Sequence, residues 1–77
     1  MKAYELLDSP EKWFGAGYEP EPDTDRVCAL IAINRAYKCP EPIEANLKRA
    51  LGVDSIIDWN DSHDWRTVYE TLKGLDI

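Results

Sequence analysis

From Val27 to Ile33 seven apolar residues follow one another without a break, and no other stretch of the chain is apolar on nearly every side when wound as a helix. A parallel or sandwich-core strand could show the same run. The flanks decide otherwise: Asp23, Thr24 and Asp25 are N-cap and first-turn residues, and Ala29, Ala32 and Ala36 favour helix. The span to Tyr37 is also long for a buried strand. The pattern therefore predicts a central helix over residues 23–37, with the rest of the chain packed around it.

The remaining periodicities are shorter. Tyr4, Leu6 and Leu7 make an amphipathic turn, and Ser9 as N-cap with Pro10 at the first helical position predicts a second short helix carrying Trp13 and Phe14, ended by Gly15 and Gly17. Tyr18 to Pro22, YEPEP, reads as an extended linker because its prolines lack donors and push their predecessors out of the α region. Ile43, Leu47, Ala50 and Leu51 form one apolar stripe, predicting a helix from Ile43 to Leu51 with Pro42 at its start and Gly52 as a left-handed cap. Asp54 or Ser55 caps a short turn expected to bury Ile56, Ile57 and Trp59. Asn60, Asp61 and Ser62 are the cap candidates for a last helix carrying Trp65, Val68, Tyr69 and Leu72 and closed by Gly74. The sum is an all-α, compact single domain of about four helices spanning residues 1–77.

Size sharpens this, since a domain of 77 residues buries only about 60% of the surface its unfolded chain exposes. Hydrophobic content of 44%, with three Trp, four Tyr and one Phe, still suffices for a core and argues against disorder. The Met1 end lacks a signal-peptide pattern, and an apolar run of seven falls far short of the roughly 20 residues a membrane span needs. A soluble, cytoplasmic protein is expected. Cys28 and Cys39, if both lie on or just past one helix, sit roughly 16 Å apart, beyond the about 7 Å Cα separation a disulfide tolerates. Two free thiols fit a reducing compartment. Net charge of −6 argues against direct contact with nucleic acid or an anionic membrane and points to a basic partner.

Trp13 with Gly15-Ala16, Cys28-Ala29-Leu30 with Ala32-Ile33, Ile57, Trp59-Asn60-Asp61, Arg66-Thr67 and Leu72 together resemble a family of small proteins from bacteriophages and their hosts, a domain of unknown function. The similarity runs from Leu6 to Leu72, and its most specific part is the W-N-D element followed by R-T. The chain departs from the pattern at Ile31, where a glycine is common, and in a short Lys38 to Pro42 segment. The resemblance implies a phage-encoded origin and brings no catalytic activity. Small acidic phage proteins include inhibitors of host machinery such as anti-CRISPR proteins, an analogy of class.

Candidate chemistry is sparse. Asp58 to Asp64, DWNDSHD, starts like a calcium loop, but His63 replaces the glycine required at the sixth place and Tyr69 the bidentate Glu. Zinc would need Cys28, Cys39, His63 and a carboxylate to converge, which the cysteine spacing opposes. His63 has no nucleophile at an interpretable spacing and there is no phosphate-binding glycine loop, so no enzyme, cofactor or metal is expected. Arg66 and Thr67 suggest a salt-bridged corner with Asp58, Asn60 or Asp61. Charge arrangement is the remaining signal. Glu19, Glu21, Asp23 and Asp25 form one acidic tract, and Asp54, Asp58, Asp61 and Asp64 a second. Both are the expected partner-binding residues, although acids at helix starts also serve solubility and helix dipoles. Arg35, Lys38, Lys48 and Arg49 form a basic counterpart.

Two function classes follow. The first is a non-enzymatic acidic protein, monomer or homodimer, that inhibits or modulates a basic or nucleic-acid-binding host protein such as a CRISPR-Cas complex, without touching nucleic acid or membrane itself. The alternative is a structural or assembly protein of a phage or mobile element that self-associates through an apolar surface of Tyr4, Phe14, Tyr18 and Ile77.

Overall fold

Residues 1–15 and 26–77 are described by the computed structural model. The chain opens with two 3₁₀ segments, Ala3–Leu7 and Pro10–Lys12, followed by four α-helices: α1 (Ala29–Ala36), α2 (Pro40–Leu51), α3 (Ile56–Asp61) and α4 (Trp65–Gly74). No strand occurs among the described residues, and the expected all-α single domain is what the chain forms. Its extents are 30 × 25 × 19 Å.

The central helix is α1, but it is shorter than the apolar run. It begins at Ala29 with Cys28 as an extended N-cap and stops at Ala36. Val27 is also out of the helix: it bridges to Trp13, with Phe14 N–H donating to the Val27 carbonyl (3.2 Å) and Val27 N–H to the Lys12 carbonyl (2.7 Å). Val27 thus serves a tertiary pairing that helical continuity would forbid, and Cys28 is the N-cap between that pairing and the helix. Asp23 and Asp25 lie outside the described residues, and the N-cap predicted there is taken by Cys28. The helix is also not apolar all round. Ala29, Ala32 and Ile33 are fully buried, Leu30 and Ile31 are half-buried, and Asn34 and Arg35 face water.

Helix α1 packs against the first 3₁₀ segment, α2 and α3, while α4 closes over that same 3₁₀ segment. The shared core contains Leu7, Val27, Ile33, Leu47, Ile56, Trp59, Val68 and Leu72. Ile77 joins it: Leu72 accepts from Ile77 N–H (3.0 Å), and the Ile77 carbonyl accepts from Ala3 N–H and from the Tyr37 hydroxyl (2.9 Å). Ile77 is therefore buried and is no candidate for an apolar contact surface. Tyr4 is half-buried with its ring stacked on Tyr69 at 6.1 Å.

Helix boundaries depart from the sequence expectation where local hydrogen bonds decide them. The predicted second helix is only the turn Pro10–Lys12, and Trp13 and Phe14 leave it to pair with Val27. Helix α2 starts earlier than expected, at Pro40. A proline in the first turn needs no donor, so Pro40 and Pro42 both fit. Gly52 is the left-handed cap the sequence predicts, at φ 67° and ψ 35°, and Val53 N–H donates to the Lys48 carbonyl at 3.1 Å. Ser55 caps α3 by accepting from Asp58 N–H, but Ile57 points outward and is 47% exposed. Asp64, not a residue of the 60–62 triplet, caps α4 by accepting from Thr67 N–H at 2.8 Å. The two cysteines are free and cap different helices, Cys28 buried and Cys39 exposed.

Candidate functional site

Helix α3 is where the conspicuous polar residues meet, and its organising residue is Asn60. Fully buried, Asn60 uses its whole side-chain amide. Oδ1 accepts from Trp13 Nε1 (2.8 Å) and from the Ala29 N–H (3.0 Å), while Nδ2 donates to the Phe14 carbonyl (3.1 Å) and to Asp61 Oδ1 (3.3 Å). One side chain thereby joins the residues before segment 16–25, the first turn of α1, and α3. Gly15 is required beside it, because a Cβ there would lie 2.4 Å from Trp13 Cζ2 and 2.7 Å from Asn60 Nδ2. A buried polar group is tolerable only when satisfied, and this one is satisfied completely. The cap role expected for Asn60 is thus corrected: it pins three segments together.

The end of α3 supplies the second feature. Its last carbonyls lack helical partners, and the Trp59 carbonyl collects the Ser62 hydroxyl (3.0 Å), the Ser62 N–H (3.3 Å) and His63 Nδ1 (2.7 Å). A carbonyl can only accept, so His63 holds its proton on Nδ1 and keeps a lone pair on Nε2 when neutral. The His63 ring lies 5.6 Å from the Trp59 rings at an interplanar angle of 41°. On this side of α3 an open groove runs past Asp54, Ser55, Asp58, Trp59, Ser62 and His63, with Val53 as an apolar wall.

The acidic residues of the second tract therefore divide. Asp54 and Asp58 are exposed, line the same groove, and take part in no ion pair among the described residues. Asp61 is turned to Asn60. Asp64 is spent on the α4 cap, and the hydrogen bonds from Thr67 hold its carboxyl below the usual carboxylate range. Glu19, Glu21, Asp23 and Asp25 lie outside the described residues.

The basic counterpart does not gather at one end. Arg35 lines a depression with Glu5 and Lys12, whereas Lys48 lines one with Glu44 and Asp54. Arg66 is exposed and belongs to no ion pair among the described residues, so the expected salt-bridged corner is built instead by the neutral Asn60. The described residues contain no group of three or more His, Cys, Asp or Glu placed to hold a metal ion, and no helix long and apolar enough to cross a membrane. What this side of α3 offers to solvent is the exposed carboxylates of Asp54 and Asp58 and the exposed ring of His63. No protein family, curated protein or solved structure matches the chain.

Proposed function

We propose that the protein is a non-enzymatic acidic binding module, phage-encoded as its resemblance implies, that docks on a basic surface of a host protein and so inhibits or modulates it. The nucleic-acid-binding site of a defence complex such as CRISPR-Cas is a surface of the right charge. The observation that carries this reading is the free pair Asp54 and Asp58: both carboxylates are exposed beside an open groove and neither is used by the fold as a cap or an ion pair among the described residues. With a net charge of −6 behind them, association is steered toward positive potential and weakens with salt.

The test is capture from host lysate on the immobilised protein at low and at high ionic strength, followed by identification of the retained proteins. A basic or nucleic-acid-handling protein held at low salt and released at high salt, and displaced by its own nucleic acid, is the expected result. Retention of no such protein at either ionic strength overturns the reading.

A further inference from the structure

We propose that the protein pairs with a second copy of itself through the hollow where α1, α2 and α3 meet, Ile57 of each copy seating in the hollow of the other. The pairing goes beyond the host-binding reading and does not depend on it.

Ile57 is an apolar residue that the sequence places in the core and the fold leaves outside, at 47% exposure. Beside it lies a hollow of about 190 Å³ lined by Leu30 of α1, Glu44 and Lys48 of α2, Asp54, and Ile56 and Ile57 of α3. Ile56 is buried and Leu30 half-buried, so they form its floor, while the exposed Lys48, Asp54 and Ile57 stand at its rim. A single exposed apolar residue is ordinary. One that stands at the edge of an apolar-floored hollow gives the surface a knob and a hole side by side. Two-fold pairing requires that combination, because whatever one copy presents the other must receive with the same patch.

Charge identifies the occupant as a second copy. Each chain carries a net charge of −6, so two copies repel at a distance, and a face that joins them must supply a cation as well as an acid. Lys48 and Asp54 supply one of each at the rim of the same hollow, and neither belongs to an ion pair among the described residues. Glu44, the other acid there, is already held by Asn34 Nδ2 at 3.0 Å. A two-fold axis at the hollow sets Lys48 of one copy against Asp54 of the other, twice, around the two exchanged isoleucines. An apolar centre inside a charged rim is the common anatomy of protein–protein contacts. The patch is small, so the dimer is a weak and reversible one. Asp58 does not line this hollow and stays open to a basic partner.

Sedimentation equilibrium of the full chain from micromolar to millimolar concentration reads the association directly. A reversible monomer–dimer equilibrium is expected, and Ile57→Asp, confirmed as folded by its circular dichroism melt, is expected to stay monomeric. Charge reversal then tests the two-fold geometry. Lys48→Glu sets acid against Asp54 and Asp54→Lys sets cation against Lys48, so each variant alone should associate about tenfold more weakly. Mixing the two variants in equal amounts should recover the dimer, because both facing pairs are then of opposite sign again. Each variant keeps a net negative charge, so recovery on mixing reports the local pairing and not an overall attraction. A chain that is monomeric at every concentration overturns the pairing and leaves the hollow to an aliphatic side chain of a different protein. A dimer that survives Ile57→Asp or ignores the single reversals overturns it as well, and so does a mixture that associates no better than either variant alone.

Discussion

Replacing Asn60 with alanine tests the architecture at its most committed point. The change removes an acceptor shared by the Trp13 indole and the Ala29 N–H and a donor to the Phe14 carbonyl. The Ala29 N–H is buried, and leaving it unpaired costs about 1–3 kcal/mol. Trp13 and Phe14 are partly buried and can recruit water, so each adds about 0.5–1 kcal/mol. The total is about 2–5 kcal/mol. A chain of this length has about 4–12 kcal/mol of stability in all. The variant should thus melt roughly 8–40 °C below wild type, or show no folded baseline at the upper end.

Circular dichroism melts and urea titrations read this directly, and Asn60→Asp refines it. A carboxylate in the same place keeps both accepting positions but presents negative charge to the Phe14 carbonyl and to Asp61, with no proton to donate. Its ionised form is disfavoured on folding, so its pKa is raised in the folded state. The sign follows: the variant's stability is present below the unfolded value near 4 and is lost as pH rises through the folded value, so its deficit against wild type widens from about pH 4 to pH 7. An alanine variant within about 1 kcal/mol of wild type, or an aspartate variant whose deficit ignores pH, would refute the assignment of Asn60 as the pin.

Gly15→Ala should destabilise by about 1–3 kcal/mol through the contacts its Cβ would make with Trp13 and Asn60, and a melt equal to wild type would mean that the pin can shift freely. Ile33→Asp puts an unpaired charge at a position with no exposure and should abolish the cooperative transition, whereas Ile31→Asp, on the half-buried side of α1, should leave a folded but weakened protein; equal outcomes would contradict the observed face of the helix. Asp64 has its pKa lowered, first by its hydrogen bonds from Thr67, so its contribution is present above the unfolded carboxylate value and is lost as pH falls through the lower folded one. Asp64→Asn should flatten the acid limb of the stability curve while the shape at neutral pH stays the same, and an unaltered acid limb counts against the cap.

How much of this was legible beforehand varies by element, and the reasons are physical. Helices α2 and α4 carry clean apolar stripes and end in glycine or beside it, and both were found with boundaries off by a few residues. The run Val27 to Ile33 misled in a specific way. Composition cannot distinguish an apolar residue inside a buried helix from one in an extended stretch leading into it, and Val27 is extended because Lys12 and Phe14 offer it backbone partners from a distant part of the chain. Ser62 and His63 close α3 on the Trp59 carbonyl, which leaves Asp64 as the first residue free to cap α4. The spacing Asp64 to Thr67 was a visible signal for that cap, and the nearer triplet of polar residues concealed it.

The candidate site was less legible because its meaning depends on what each polar group does for the fold. Eight acids looked equivalent in sequence, yet among the four that can be described, one caps a helix, one faces the buried amide, and two are left over. Asn60 gave no sign of its role, since its partners Trp13, Phe14 and Ala29 are 31 to 47 residues away. That same distance gives the pin its consequence for binding. Phe14 and Ala29 flank the segment containing Glu19, Glu21, Asp23 and Asp25, and both flanks are fastened to one residue of the helix that carries Asp58. Phe14 and Ala29, on either side of residues 16–25 in the sequence, are therefore both fastened to the element that carries Asp58 of the second tract. Charge changes in either tract should act on the rate of encounter with a basic partner, because steering responds to the summed field of the whole chain's charge.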